Sequence, residues 1–187
     1  MSSKKYVSRG GEKLQAAIEN FNIDIKNKAV LDVGSSTGGF VDCLLQNGAV
    51  KVYALDTAYG ELAWKLRNDP KVVVMERTNI LHLNSLPEQL DLITIDAGWT
   101  KLELVLPVIK RFLKSDGLII ALLKPHYEGG QKKLVKGVVP ENLVEEIKNQ
   151  TIKNIEYLGF KVAEVIDSPI LGGAGNKEFL LLINYRN

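Results

Sequence analysis

Short unbroken apolar runs alternate with amphipathic stretches along most of this chain. The runs at Ala29–Val33, Val52–Leu55, Val72–Met75, Leu92–Ile95 and Leu118–Leu123 have the length and continuity of buried parallel strands. Helical spacing predicts a helix over Gly11–Phe21, with Leu14, Ala17, Ile18 and Phe21 on one face. Further helical patterns follow Gly38, lie near Glu61–Arg67 and cover Leu102–Leu113. A long amphipathic segment, Glu141–Leu158, ends at Gly159, a suitable helix stop. Two last strands, Lys161–Ile166 and Glu178–Asn184, have no helix between them and should pair antiparallel. The pattern predicts an α/β fold. Its seven-stranded sheet is mostly parallel, has one reversed strand at the edge and carries helices on both faces.

The first strand stops at a glycine-rich turn, Asp32-Val33-Gly34-Ser35-Ser36-Thr37-Gly38-Gly39-Phe40, and a helix follows. Glycines such as Gly34 and Gly38 let a backbone approach a ligand closely, and the helix start adds unpaired N–H groups. Ser36, Thr37 and Phe40 complete the candidate cofactor-binding turn. The second strand ends at Asp56, placed about 20 residues on to take a ribose hydroxyl pair. A dinucleotide site would read G-x-G-x-x-G, but its middle glycine is here Ser36. Asp32 would repel a pyrophosphate and suits a cationic ligand, such as the amino acid end of S-adenosyl-L-methionine. Asn79 follows the third strand and is a candidate for an adenine pocket. Asp32, Asp56, Asp96 and Lys124 all come at strand ends, so they should gather at one edge of the sheet.

Composition narrows the class. The 187 residues suffice for one domain with a sizeable core. No apolar run approaches the roughly 20 residues of a membrane span. The polar start, Met1-Ser2-Ser3-Lys4-Lys5, lacks the apolar centre of a signal peptide, so the expected location is cytoplasmic. The single cysteine, Cys43, excludes an intrachain disulfide and reads as a small buried helix residue. With His82 and His126 it makes no persuasive ligand set, and no metal is expected. The net charge is only +2, but Lys4, Lys5, Arg9 and Lys13 crowd the N-terminus and Lys132, Lys133 and Lys136 crowd a later loop. Phosphate contacts from these clusters would be weak and salt-dependent.

Several separated motifs then carry a resemblance. Ser8-Arg9-Gly10-Gly11-Glu12-Lys13-Leu14 resembles the S-R-G-G-x-K-L signature of the TlyA-type, haemolysin A family of ribosomal RNA 2′-O-methyltransferases. The glycine turn is similar to that family's, as are Glu76-Arg77-Thr78-Asn79, Lys124-Pro125-His126-Tyr127-Glu128, Lys136-Gly137-Val138-Val139, Ser168-Pro169-Ile170 and Gly175-Asn176-Lys177-Glu178-Phe179. The wider superfamily is that of the FtsJ-like enzymes. The resemblance implies a Rossmann-like class I methyltransferase fold and S-adenosyl-L-methionine as cofactor. The implied partner is ribosomal RNA or ribosomal subunits, with no membrane. It also places the superfamily's Lys–Asp–Lys–Glu catalytic tetrad on Lys13, Asp96, Lys124 and Glu178.

In that reading Lys124 is the candidate base; alternatively, keeping its proton, it orients the hydroxyl and stabilises oxyanion charge. Asp96 holds the lysine and the methyl end of the cofactor, and Glu178 orients Lys13 or the ribose. The chain departs from the family at Asp96-Ala97-Gly98-Trp99-Thr100-Lys101-Leu102, where D-x-S-F-x-S-L is common. It departs again at His126-Tyr127, where Gln-Phe is more usual. The family normally carries an S4 RNA-binding module ahead of S-R-G-G. This chain starts almost at that motif, so the expectation is one methyltransferase domain over 1–187, with the signature in a segment over 1–24 and no S4 module. The competing readings are a methyltransferase acting on a small molecule or protein, and a non-catalytic RNA-binding derivative.

Overall fold

Seven strands form one sheet: β1 (Ala29–Val33), β2 (Lys51–Leu55), β3 (Val72–Met75), β4 (Leu90–Ile95), β5 (Leu113–Leu123), β6 (Phe160–Asp167) and β7 (Phe179–Tyr185). Their spatial order is β3-β2-β1-β4-β5-β7-β6. The structure, a computed structural model, describes residues 5–98, 100–130 and 134–185. Trp99, Lys4, Lys132 and Lys133 thus lie outside the described residues. The first five strands pair in parallel, whereas β7 runs antiparallel to both β5 and β6. The reversed strand is therefore β7, inserted one place in from the edge, and β6 forms the edge itself.

The helices are α1 (Gly10–Asn20), α2 (Gly39–Gln46), α3 (Trp64–Arg67), α4 (Leu102–Ile109), α5 (Pro125–Glu128) and α6 (Glu141–Tyr157). Because side chains alternate across a strand, each sheet face builds its own core. Leu31, Val33, Ile93 and Ile95 pack with Leu106 of α4 and Ile155 of α6. Val30, Val52, Leu92 and Ile120 pack with Leu14 of α1 and Leu44 of α2 on the other face. The helical pattern near Glu61–Arg67 yields only α3, since Ala63 is extended. The pattern over Leu102–Leu113 ends as α4, with a 3₁₀ turn over Lys110–Phe112. Pro107 removes one backbone donor within it.

The N-terminal signature is a packing device. A Cβ at Gly39, in the first turn of α2, would lie 2.2 Å from Ser8 Oγ and 2.9 Å from the Gly11 nitrogen. The starts of α1 and α2 thus touch backbone to backbone. Asp42 of α2 accepts a hydrogen bond from the Val7 nitrogen at 2.9 Å and pairs with Lys65 at 2.9 Å. Burial pushes the Asp42 carboxyl up, but the Lys65, Gln46 and Val7 partners outweigh it and hold the group below the usual carboxylate range. The segment around Ser8-Arg9 is therefore pinned over the end of β1, the point where strand order reverses between β1 and β4. Ligands of open α/β sheets bind in that crevice.

Candidate active site

The turn after β1 is shaped by its neighbours. Gly34 takes φ +88°, and a Cβ there would lie 2.7 Å from the Asp96 carbonyl oxygen. This glycine lets the ends of β1 and β4 meet. Gly38, at φ +97°, is buried, and a Cβ there would strike Leu66 and Leu62. Packing, not ligand approach, requires glycine at position 38. The nitrogens of Gly34 and Ser35 donate to the Leu55 carbonyl, and that of Ser36 donates to Asp56 Oδ2 at 2.7 Å. The first-turn amides of α2, which have no intrahelical acceptor, are the ones left for a ligand.

A cleft of about 220 Å³ opens here, lined by Arg9, Lys13, Gly34, Ser36, Thr37, Gly39, Phe40 and Asp96 among others. Five candidates therefore line this cleft: Gly34, Ser36, Thr37 and Phe40 from the turn, and Asp96 from the end of β4. Asp56 stands half-buried at the end of β2, both oxygens accepting backbone amides, from Ser36 and from Ala58. Carboxylate oxygens keep further lone pairs, so ribose hydroxyls can still be received. The donor set fits S-adenosyl-L-methionine. Asp56→Ala should weaken its binding by about 1.5–3 kcal/mol, the scale of hydrogen bonds to charged groups. Isothermal calorimetry checks this; unchanged affinity in a folded variant removes Asp56 from the site.

Four of the expected cofactor residues do not line this cleft: Gly38 and Asp56, described above, and Asp32 and Asn79. Asp32 is fully buried, because β1 continues through Val33 and turns the residue 32 side chain into the helix-covered face. Its Oδ1 accepts from the Thr94 hydroxyl at 2.6 Å, while Oδ2 has no partner among the described residues. It does not reach the cleft. Asn79 is exposed and caps the 3₁₀ turn Ile80–His82, its Oδ1 accepting from the Leu81 nitrogen at 2.9 Å. Neither lines the cleft, although Asp56, Asp96 and Lys124 do share one sheet edge.

Beyond Asp96 the cleft meets a larger cavity of about 810 Å³. Arg9, Lys13 and Asp96 line both. Lys124, His126, Tyr127, Asn176 and Glu178 complete the polar wall of the cavity. Lys124 Nζ lies 2.6 Å from Asp96 Oδ1, a close ion pair that falls off the axis of a hydrogen bond. Lys13 Nζ donates to Glu178 Oε2 at 2.5 Å, with the two side chains 8% and 3% exposed. Glu178 reaches this edge because β7 is reversed: the residue before β7 stands beside the residues that follow β1, β4 and β5. All four tetrad candidates are thus brought together as two lysine–carboxylate pairs.

Other residues around the site enter the resemblance only as members of its motifs, with no role attached. Asn176 is buried and ties two rim loops together, accepting from the Val139 nitrogen and donating to the Gly137 and Gly173 carbonyls. The His126 ring lies 4.2 Å from that of Tyr127, tilted by 49°, and its buried Nδ1 has no hydrogen-bond partner among the described residues. Burial holds its imidazole below the usual range; Glu178 opposes this, and Lys124 and Lys13 add to it. Glu128 accepts from the Leu102 nitrogen at 2.9 Å, joining α5 to the start of α4. Cys43 is buried, which pushes its thiol up to about 12 and leaves it unreactive. Among the described residues, no three His, Cys, Asp or Glu side chains are grouped as metal ligands.

Two buried carboxyls make a prediction about pH. Burial pushes Asp32 up to about 7 against the Thr94 hydrogen bond, and the Asp96 and Asp56 charges add to the rise. Burial also pushes Glu128 up to about 7, opposed by the Leu102 amide and Lys101. Each group keeps a proton in the folded chain that the unfolded chain releases above about pH 4. Their contribution to stability is therefore full below about pH 4. It falls as pH rises toward 7, by at most about 1.4 kcal/mol per pH unit for each group. His126 acts oppositely, since the unfolded chain protonates it more readily. Asp32→Asn and Glu128→Gln should each lessen the loss between pH 5 and 7 in urea denaturation; identical pH slopes in wild type and both variants would discount these shifts.

Comparison with known proteins shows the family. The family model for FtsJ-like methyltransferases matches residues 6–185. The chain is 42% identical to the Bacillus subtilis protein YqxC, covering 97% of this chain and 66% of that one. It is 38% identical to the 16S/23S rRNA (cytidine-2′-O)-methyltransferase TlyA of Mycobacterium tuberculosis, over 96% of this chain and 69% of the relative. The chain thus spans about two thirds of the length of these curated relatives. A crystal structure of a Lactococcus lactis protein grouped with the hemolysins superposes with a TM-score of 0.92 at 41% identity, over 97% of this chain and 89% of the other. With the fold, the β1 turn and the paired lysines and carboxylates in place, the chain belongs to the FtsJ-like methyltransferase family, enzymes that use S-adenosyl-L-methionine.

Proposed function

We propose that this protein transfers a methyl group to a ribose 2′-hydroxyl of ribosomal RNA. The observation that carries the reading is the double pair, Lys124–Asp96 and Lys13–Glu178, in a cavity opening onto the cofactor cleft. Bound S-adenosyl-L-methionine supplies an electrophilic sulfonium methyl. The protein's task is to position a weak nucleophile and receive its proton. Lys124, held against Asp96, meets the acceptor hydroxyl and relays its proton to the Asp96 carboxylate, the basic member of the pair, as the C–O bond forms at the expense of the methyl–sulfur bond. Lys13, fixed by Glu178, adds positive charge where negative charge gathers on the oxygen. Asp96 stands between the two spaces and orients both partners.

The relative named for cytidine-2′-O transfer supports a ribosomal target. Such a target would place the activity in the cytoplasm, and no helix among the described residues is long and apolar enough to cross a membrane. A single continuous sheet supports reading 1–187 as one methyltransferase domain, its first 24 residues carrying the signature. The test is tritiated methyl transfer from S-adenosyl-L-methionine to intact ribosomal subunits and to stripped ribosomal RNA. A 2′-O-methyl leaves its phosphodiester resistant to alkali, so the label should appear in alkali-stable dinucleotides. Label confined to bases or to ribosomal protein overturns the proposal.

A further inference from the structure

Lys13 and Lys124 each have a carboxylate partner, but Arg9 has none among the described residues. Arg9 lines both the cofactor cleft and the larger cavity. Three cations and two carboxylates face that cavity, so its unbalanced positive charge is the Arg9 guanidinium. The backbone around it is fixed. Val7 is held by Asp42, Ser8 by contact with Gly39, and Gly11 by the buried Tyr6 ring beneath it. An exposed arginine on a pinned backbone presents a planar fork of donors suited to an oxyanion.

Two anions are available at this seam: the cofactor's carboxylate and an RNA phosphate. The first turn of α2, with its unpaired amides, lines the cleft through Gly39 and Phe40 and can take the carboxylate. A 2′-hydroxyl at Lys124 brings its own phosphodiester with it, two ribose carbons away.

We infer that Arg9 forms a phosphate subsite, gripping the phosphodiester of the nucleotide whose ribose is methylated. This rests on the reading of the site as a ribose 2′-O-methyltransferase. The subsite recognises backbone and not base, so it contributes to registering the strand, not to choosing its sequence.

The experiment compares wild type with Arg9→Gln and Arg9→Lys. It uses stripped ribosomal RNA across a salt series, with S-adenosyl-L-methionine affinity measured separately by calorimetry. Arg9→Gln should raise the KM for RNA about tenfold or more, as for one charged hydrogen-bonded contact. Its dependence on salt should flatten by about one phosphate contact. Cofactor affinity should change far less than the KM for RNA, and Arg9→Lys should recover part of the loss. A fall in cofactor affinity with an unchanged KM for RNA overturns the inference and assigns Arg9 to the carboxylate; no change in either also overturns it. If wild type places no methyl on RNA ribose, the underlying reading fails. RNA binding over the same salt series still tests Arg9 in that event, and equal affinity and slope in wild type and Arg9→Gln excludes the subsite.

Discussion

Lys124→Ala should reduce methyl transfer by about two to four orders of magnitude, the usual cost of losing a positioned proton-transfer group. Its affinity for S-adenosyl-L-methionine should remain near wild type. The separation follows from geometry: Lys124 lines the large cavity and not the cofactor cleft, whereas Asp96 lines both. Asp96→Ala should therefore damage turnover and cofactor binding together. Single-turnover transfer and calorimetry on the same preparations make the comparison. Near wild-type transfer by Lys124→Ala would end the proposed mechanism. A loss of cofactor affinity in proportion to activity would move Lys124 into the cofactor site.

The Lys13–Glu178 pair should affect folding as well as catalysis. Both residues are almost fully buried, so removing one strands the other's charge away from water. Lys13→Ala or Glu178→Ala should cost about 3–5 kcal/mol of stability, the usual penalty for breaking a buried pair. Replacing both together, Lys13→Met with Glu178→Leu, should restore most of that stability, because no charge is left unpaired. It should not restore methyl transfer. Urea denaturation and activity, read on all three variants, separate the two roles. Wild-type stability in the single variants would mean that the pair is effectively solvated. Activity in the double variant would remove it from the chemistry.

Much of the scaffold was legible because buried parallel strands are written as unbroken apolar runs. Ala29–Val33 and Val72–Met75 appear with those same bounds. The tetrad was not legible from periodicity. Lys13, Asp96, Lys124 and Glu178 were picked out by resemblance to a family, and their meeting depends on a sheet order that no local pattern encodes. Asp32 shows the limit most clearly: an acid beside the glycine turn looks like a strand-end ligand, yet it lies within β1, and both faces of that strand are covered by packed side chains. Gly38 resembles a ligand-contacting glycine but answers to Leu62 and Leu66. Asn176 and Asp42 act through contacts with distant backbone, and their neighbours in sequence give no sign of it.

The reversal of β7 has a consequence for the newly made protein. Lys13 and Glu178 lie 165 positions apart, yet they share one hydrogen bond. β7 must slide between β5 and β6, and contacts this remote in sequence form late and slowly. On the ribosome, a chain that has not released its last strand has a cofactor turn but no finished acceptor site. On the ribosomal reading proposed above, such a half-made enzyme is unable to modify the machine that is making it.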